Sequence, residues 1–123
     1  MIAILWRYRV KPEHRAEFEA AYGPDGDWAH LFRRHPHYLG TELLCEPVLL
    51  RRQEPSPNKV SGEVLNYLTI DRWRSEADFT DFMTAHRPDY ETLDAATAGW
   101  TEEEVRLGVW EDLADQSNLI GAK

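Results

Sequence analysis

Residues 64–75, VLNYLTIDRWRS, constrain the fold of this chain more than any other stretch. Val64 to Arg74 is rich in β-branched and aromatic residues and reads as a strand. Its alternation puts Leu65, Tyr67, Thr69, Asp71 and Trp73 on one face and Leu68 and Ile70 on the other. Ser75-x-x-Asp78 follows at once, a capping box with Asp in place of the usual Glu. Beyond it Phe79, Phe82, Met83, His86, Tyr90, Leu93 and Thr97 step by threes and fours, one continuous helical stripe. Pro88 inside that stripe predicts a kink or two consecutive helices, because proline deletes a ladder hydrogen bond.

The rest of the chain fits around this strand–helix unit. Ile2, Ile4, Trp6, Tyr8 and Val10 alternate with Ala3, Leu5, Arg7 and Arg9, a first strand. Pro12 suits the first turn of a helix running to about Tyr22, with Phe18, Ala21 and Tyr22 as its buried edge. Gly23-Pro24-Asp25-Gly26 stops it, and Asp27 is placed to cap a short helix through Arg34 that buries Trp28, Leu31 and Phe32. His35-Pro36 closes that helix. Tyr38 to about Leu50 reads as a second strand with an interruption at Pro47, and residues 51–63 as a hairpin loop with a mobile tip. Gly99 ends the long helix, Val105 to Glu111 forms a fourth strand, and 112–123 is a tail suited to reach a partner subunit. The unit expected is a domain over 1–111. Its order is that of an α+β, ferredoxin-like βαββαβ protomer: a four-stranded antiparallel sheet with helices on one face. Leu5, Leu68 and Ile70 on the uncovered face need a second layer, and a second copy of the chain supplies it, so a homodimer is expected.

Charge and cysteine usage exclude several classes. The 123 residues carry 14 Lys and Arg against 22 Asp and Glu, a net charge of −8, which opposes the phosphate neutralisation that nucleic-acid binding requires. No apolar run approaches the ~20 residues of a membrane-spanning helix. MIAILWRYRV lacks a basic region and a cleavage site, and Cys45 has no second cysteine to pair with, so a cytoplasmic protein is expected. Five Trp, five Tyr and four Phe exceed the needs of one small core and point to an aromatic-lined pocket or a buried subunit interface.

Few residues carry chemistry. Asp71, two positions from Trp73, is near solvent, or paired with a basic residue such as Arg7 or Arg9, or desolvated and able to act as a base. Trp73 is either a core residue under the long helix or a pocket wall. His86 is the polar ring of the helical stripe. It is either structural, bonded to Asp71 or Tyr67, or open to a cavity as a general base titrating near neutrality. His30, His35 and His37 have no further ligand at metal spacing, so no metal is expected. Cys45 reads as a small buried residue rather than a nucleophile. There is no phosphate-cradling loop and no GxSxG.

RYRVKPEHRAEFEAAY, HPHYLGTELL and YLTIDRWRSEADFTDFMTAH together resemble the antibiotic-biosynthesis-monooxygenase-like proteins of the dimeric α/β-barrel superfamily over residues 2–111. The resemblance implies an obligate dimer with a pocket between sheet and helices. In the polyketide oxygenases of that group the pocket uses an Asn, a Trp, a Tyr and an Arg; the matching positions here are Thr69, Trp73, Phe79 and about Leu93, so only the Trp is kept. In the haem-degrading branch an Asn, a Trp and an axial His fall on Trp6, Phe82 and Thr92. No cofactor is therefore expected. Two classes remain: a cofactor-independent monooxygenase acting on a quinol or polyphenol, and a non-catalytic module or dimeric scaffold that binds a small molecule. In the first, His86, Asp71 and Trp73 carry the chemistry, and Trp6, Tyr8, Trp28, Tyr67, Thr69, Phe79, Phe82 and Tyr90 contact the small aromatic substrate.

Overall fold

The computed structural model describes residues 1–47 and 65–113. Strand β1 (Ile2–Val10) leads through a 3-10 turn (Pro12–His14) into α1 (Arg15–Tyr22) and α2 (Asp27–Phe32). Then come β2 (Tyr38–Cys45), β3 (Leu65–Trp73), α3 (Glu76–Thr97), a second 3-10 turn (Ala98–Trp100) and β4 (Thr101–Glu111). The sheet order is β2-β3-β1-β4 with every neighbouring pair antiparallel. This is the ferredoxin-like arrangement the element order predicts. β2 ends at Cys45, and residues 48–50 of the expected second strand, the loop expected at 51–63 and most of the tail lie outside the described residues. Among the described residues no helix is long and apolar enough to cross a membrane.

One face of the sheet makes the core. Ile4, Tyr8 and Val10 of β1 and Leu65, Tyr67 and Trp73 of β3 are buried there against Phe18, Tyr22, Trp28, Phe32 and Phe82 of the helices. The rings interlock: Phe18 and Tyr22, one helical turn apart, stack at 4.1 Å, and Trp73 meets Phe32, Tyr38, Phe79 and Phe82 at 5.2–5.5 Å. Such pairs add specific geometry to the area they bury. On the opposite face the register aligns Leu5 with Ile70 and Arg7 with Leu68, and Leu68 with Leu44.

The ends of the elements follow local chemistry, with departures from the sequence reading, the smallest being that α2 stops at Phe32 rather than Arg34. Ser75 caps α3 as expected, accepting from the Asp78 N–H at 3.2 Å. Asp27 does not cap α2; Gly26 holds that position and Asp27 is the first helical residue. The reason is space: a Cβ at residue 26 would lie 2.4 Å from the carbonyl oxygens of Ala20 and Ala21, so only glycine lets α2 start beside the end of α1. The fourth strand begins at Thr101 rather than Val105, because the Lys11 N–H bonds the Trp100 carbonyl at 3.0 Å and fixes the chain there. Cys45 is exposed rather than buried, being the last residue of an edge strand. The expected kink in α3 is present and falls at His86, whose φ of −128° and ψ of 20° leave the helical region two residues before Pro88. β4 carries a bulge opposite Leu5 and Trp6, where Gly108 adopts φ +121°.

Candidate active site

Strand register sets which side chains meet beneath the helices. Trp6 of β1 pairs with Thr69 of β3 and Tyr8 of β1 with Glu104 of β4, while Thr41 of β2 pairs with Asp71 of β3. All point to the helix-covered face. Tyr22 of α1, Trp28 and Phe32 of α2, and Tyr90 and Asp94 of α3 close over them, leaving a cavity of 40 Å³. That volume holds roughly three waters.

Asp71 is the chemically distinctive member. It makes no ion pair among the described residues. Arg7 and Arg9, the partners expected from sequence, lie on the other face of the sheet and meet Glu103 instead, at 3.1 and 3.9 Å. Asp71 accepts one hydrogen bond, from the Thr41 hydroxyl at 2.6 Å. Because that hydroxyl's proton is committed to the carboxylate, the Tyr38 hydroxyl donates to Thr41, giving a relay Tyr38–Thr41–Asp71. A part of the Asp71 side chain faces the cavity, but protein crowds it elsewhere. Burial pushes its pKa up to about 6, and the Thr41 bond offsets only a part of that rise.

Two further groups in the lining are polar and unpaired. Thr69 Oγ1 and Trp28 Nε1 are buried without a hydrogen-bond partner among the described residues, in residues only 2% and 7% exposed. Thr69 lies close enough to Tyr8, and Trp28 to Tyr22, to lower those pKa values, yet both contacts fall short of hydrogen-bond geometry. Burial dominates at each cavity tyrosine: Tyr8 is raised well above the ordinary phenol value, and Tyr22 and Tyr90 to about 12. At neutral pH all three are donors, not bases.

Six residues singled out in the sequence thus come together: Trp6, Tyr8, Trp28, Thr69, Asp71 and Tyr90. Five do not line the cavity. Trp73 is fully buried in the core, with Phe79 and Phe82 packed on it. Tyr67 donates to Glu19 of α1. His86 sits at the kink, half-buried, with its ring 5.2 Å from that of Phe82. The bond foreseen between His86 and Asp71 or Tyr67 is not formed, since those two residues are bonded to Thr41 and Glu19. Conversely, Thr41, Asp94 and Glu104 line the cavity without a local sequence signal, and only pairing between distant strands could have flagged Thr41.

The histidines form a different group. His35, His37 and Asp78 bring ligand-type atoms within 4.8 Å of one another, which the sequence spacing did not suggest. The hydrogen bonds explain the cluster without a metal. His37 Nε2 accepts a hydrogen bond from the Arg74 guanidinium at 2.9 Å and its Nδ1–H donates to Asp78 at 3.2 Å. His35 Nδ1 accepts the His37 backbone N–H at 3.1 Å. Arg74 also reaches Asp78 Oδ2 at 3.0 Å, so a cation already occupies the carboxylate. The Ser75 hydroxyl, first, and then Arg74 and His37 hold the Asp78 pKa down to about 2.

The family model for antibiotic biosynthesis monooxygenase matches residues 1–90. The chain belongs to the antibiotic biosynthesis monooxygenase family. No curated protein matches it. Among solved structures, this family member is similar to a Nitrosomonas europaea protein assigned as an antibiotic biosynthesis monooxygenase, at 15% identity and TM-score 0.57, covering 92% of this chain and 99% of that one. It is similar to a mutant of SnoaB, a cofactor-independent oxygenase from Streptomyces nogalater, at 16% identity and TM-score 0.58, covering 90% and 91%. It is also similar to a mutant of MhuD with two manganese protoporphyrins bound per active site, at 20% identity and TM-score 0.52, covering 92% and 95%. These likenesses establish the shared fold. A porphyrin does not suit this member's own residues: Thr92, at the expected axial position, is exposed with its hydroxyl bonded to the Pro88 carbonyl at 2.9 Å, and the 40 Å³ cavity is lined by three carboxylates.

Proposed function

We propose that this family member is a cofactor-independent monooxygenase acting on a quinol or polyphenolic small molecule, with Asp71 as its base. The observation that carries the reading is the pairing of a desolvated carboxylate lacking a counter-ion with two unpaired buried groups in one aromatic cavity. A phenolic hydroxyl meets both demands. Its proton goes to Asp71, and the phenolate oxygen accepts from the Thr69 hydroxyl and the Trp28 N–H, which strengthen as charge develops. The electron-rich ring carbon then transfers electrons to O₂ and a C–O bond forms. Breaking the O–O bond with loss of water leaves a quinone. One oxygen atom enters the product and the other leaves as water, with all four electrons coming from the substrate. The aromatic walls orient the ring and exclude water. Admission of a ring requires the half-buried Trp6 and Tyr90 side chains to swing outward, because the resting cavity holds only small molecules.

His86, the base suggested by the helical stripe, is the weaker candidate for this role since it faces Phe82 rather than the cavity. The catalytic unit we envisage is a homodimer of the 1–111 domain in the cytoplasm, with the Leu5, Leu44, Leu68 and Ile70 face covered by a second copy. Oxygen consumption by purified protein with a panel of quinols tests the reaction. Turnover by the native chain and loss of at least 100-fold in Asp71→Asn support it. Uptake that survives in Asp71→Asn transfers the base to another residue. Ligand binding with no uptake by the native chain makes the cavity a binding module.

A further inference from the structure

The charge of the cavity lining is one-sided. Asp71, Asp94 and Glu104 line it together with Tyr8, Tyr22, Tyr90, Trp6 and Trp28, and no Lys, Arg or His is among the lining residues. Asp94 and Glu104 lie at the exposed mouth and neither makes an ion pair among the described residues. They repel each other: the charge of Asp94 adds to burial in raising the Glu104 pKa. Thr101 offers Glu104 only a long hydrogen bond of 3.4 Å. Arg106, opposite Trp6 on the same sheet face and two residues from Glu104, lies outside the lining; its field lowers the Tyr90 pKa, after Asp94, Asp71 and Glu104 have raised it. Inside, the buried and unpaired Thr69 hydroxyl and Trp28 N–H mark where a neutral polar group of a ligand is received.

The geometry points to a phenol that bears a protonated amine as the substrate class of this cavity. The inference rests on the phenol reading above and deepens it. The hydroxyl end goes inward to Asp71, Thr69 and Trp28. The ammonium end stays at the mouth, where Asp94 and Glu104 supply the counter-charge and the faces of Tyr90 and Trp6 supply cation–π attraction. An anionic substituent at the same place would meet two carboxylates and is rejected by the repulsion that favours the cation.

Calorimetric titration of the full chain at pH 7.5 with tyramine, 4-propylphenol and 3-(4-hydroxyphenyl)propionate tests the inference. These probes share a ring and a side-chain length and differ in charge. Tyramine should bind at least tenfold tighter than 4-propylphenol, and the propionate at least tenfold weaker. Asp94→Asn combined with Glu104→Gln, whose fold is checked by circular dichroism, should bring the three within about threefold of one another. Equal binding of all three by the native chain overturns the inference, as does no detectable binding of tyramine. A preference that persists in the double variant also overturns it, because the net charge of −8 and not the mouth is then responsible. Phenethylamine separates this inference from the phenol reading. If it binds as tightly as tyramine and no phenol is turned over, the cation site stands and the phenol chemistry fails. If 4-propylphenol is turned over without charge preference, the phenol chemistry stands and the cation site fails.

Discussion

A carboxylate whose surroundings disfavour ionisation holds its proton longer in the folded chain than in the unfolded one. For Asp71 the window runs from the ordinary 3.8 to about 6. Within it the native state binds more protons, so stability falls as pH rises, and the full penalty is present above pH 6. The rise from 3.8 to about 6 corresponds to at most about 3 kcal/mol, less the relief given by solvent at the cavity. Asp71→Asn keeps an acceptor for Thr41 and removes the charge. Urea denaturation should find it more stable than the native chain by about 1–3 kcal/mol at pH 7.5 and no more stable at pH 4. The same residue as a base requires its ionised form, so kcat/KM should climb with pH through about 6 and then level off. A flat profile from pH 5 to 7 would assign the base elsewhere. The stability cost and the activity thus rise together over one pH window.

At the scale of elements, the joint between β3 and α3 is fixed by side chains rather than by a loop. Ser75, Arg74 and His37 converge on Asp78, tying the start of β2 to the first turn of the long helix. Ser75→Ala should cost about 1 kcal/mol by loss of the cap. Asp78 is depressed to about 2, so its contribution is complete above the ordinary carboxylate value and is lost as pH falls towards 2. Acid titration of the native chain and of Asp78→Asn, followed by circular dichroism, should converge at the low end of that range. The α1–α2 corner depends on glycine in a different way. Gly26→Ala drives a methyl group into two backbone carbonyls, which cannot move aside like a flexible side chain. A loss of about 2–4 kcal/mol in chemical denaturation is expected.

For the molecule as a whole, the sheet has one face under the helices and one without. Leu44 is 49% exposed and Trp110 57%, with Leu5, Leu68 and Ile70 half-buried beside them. A second copy on this face would give an obligate interface, which usually buries 2,000 Å² or more in total. Light scattering at micromolar concentration should return twice the 14.3 kDa chain mass, and Leu68→Asp should abolish the dimer. A monomer mass for the native chain would remove the premise that an apolar face needs a second layer.

The sequence by itself determined the elements. Alternation in Ile2–Val10 and Leu65–Trp73, the Ser75 cap and Pro88 act within a few residues of themselves, so their consequences were legible locally. The element order then settled the ferredoxin-like topology, while the aromatic excess left open a lined pocket or a buried subunit interface and did not place either. Tertiary structure alone decided the membership of that pocket. Thr41 meets Asp71 across 30 residues, and Asp94 and Glu104 reach the same mouth from α3 and β4. His86 shows the limit of a periodic stripe: periodicity gives the angle of a side chain around a straight axis, and the kink falls at His86 itself. Trp73 and Thr69 share a strand face, yet the helices seal one and leave the other at the cavity. Register, kinking and helix docking depend on contacts far apart in the chain, and these convert a face of a strand into a site.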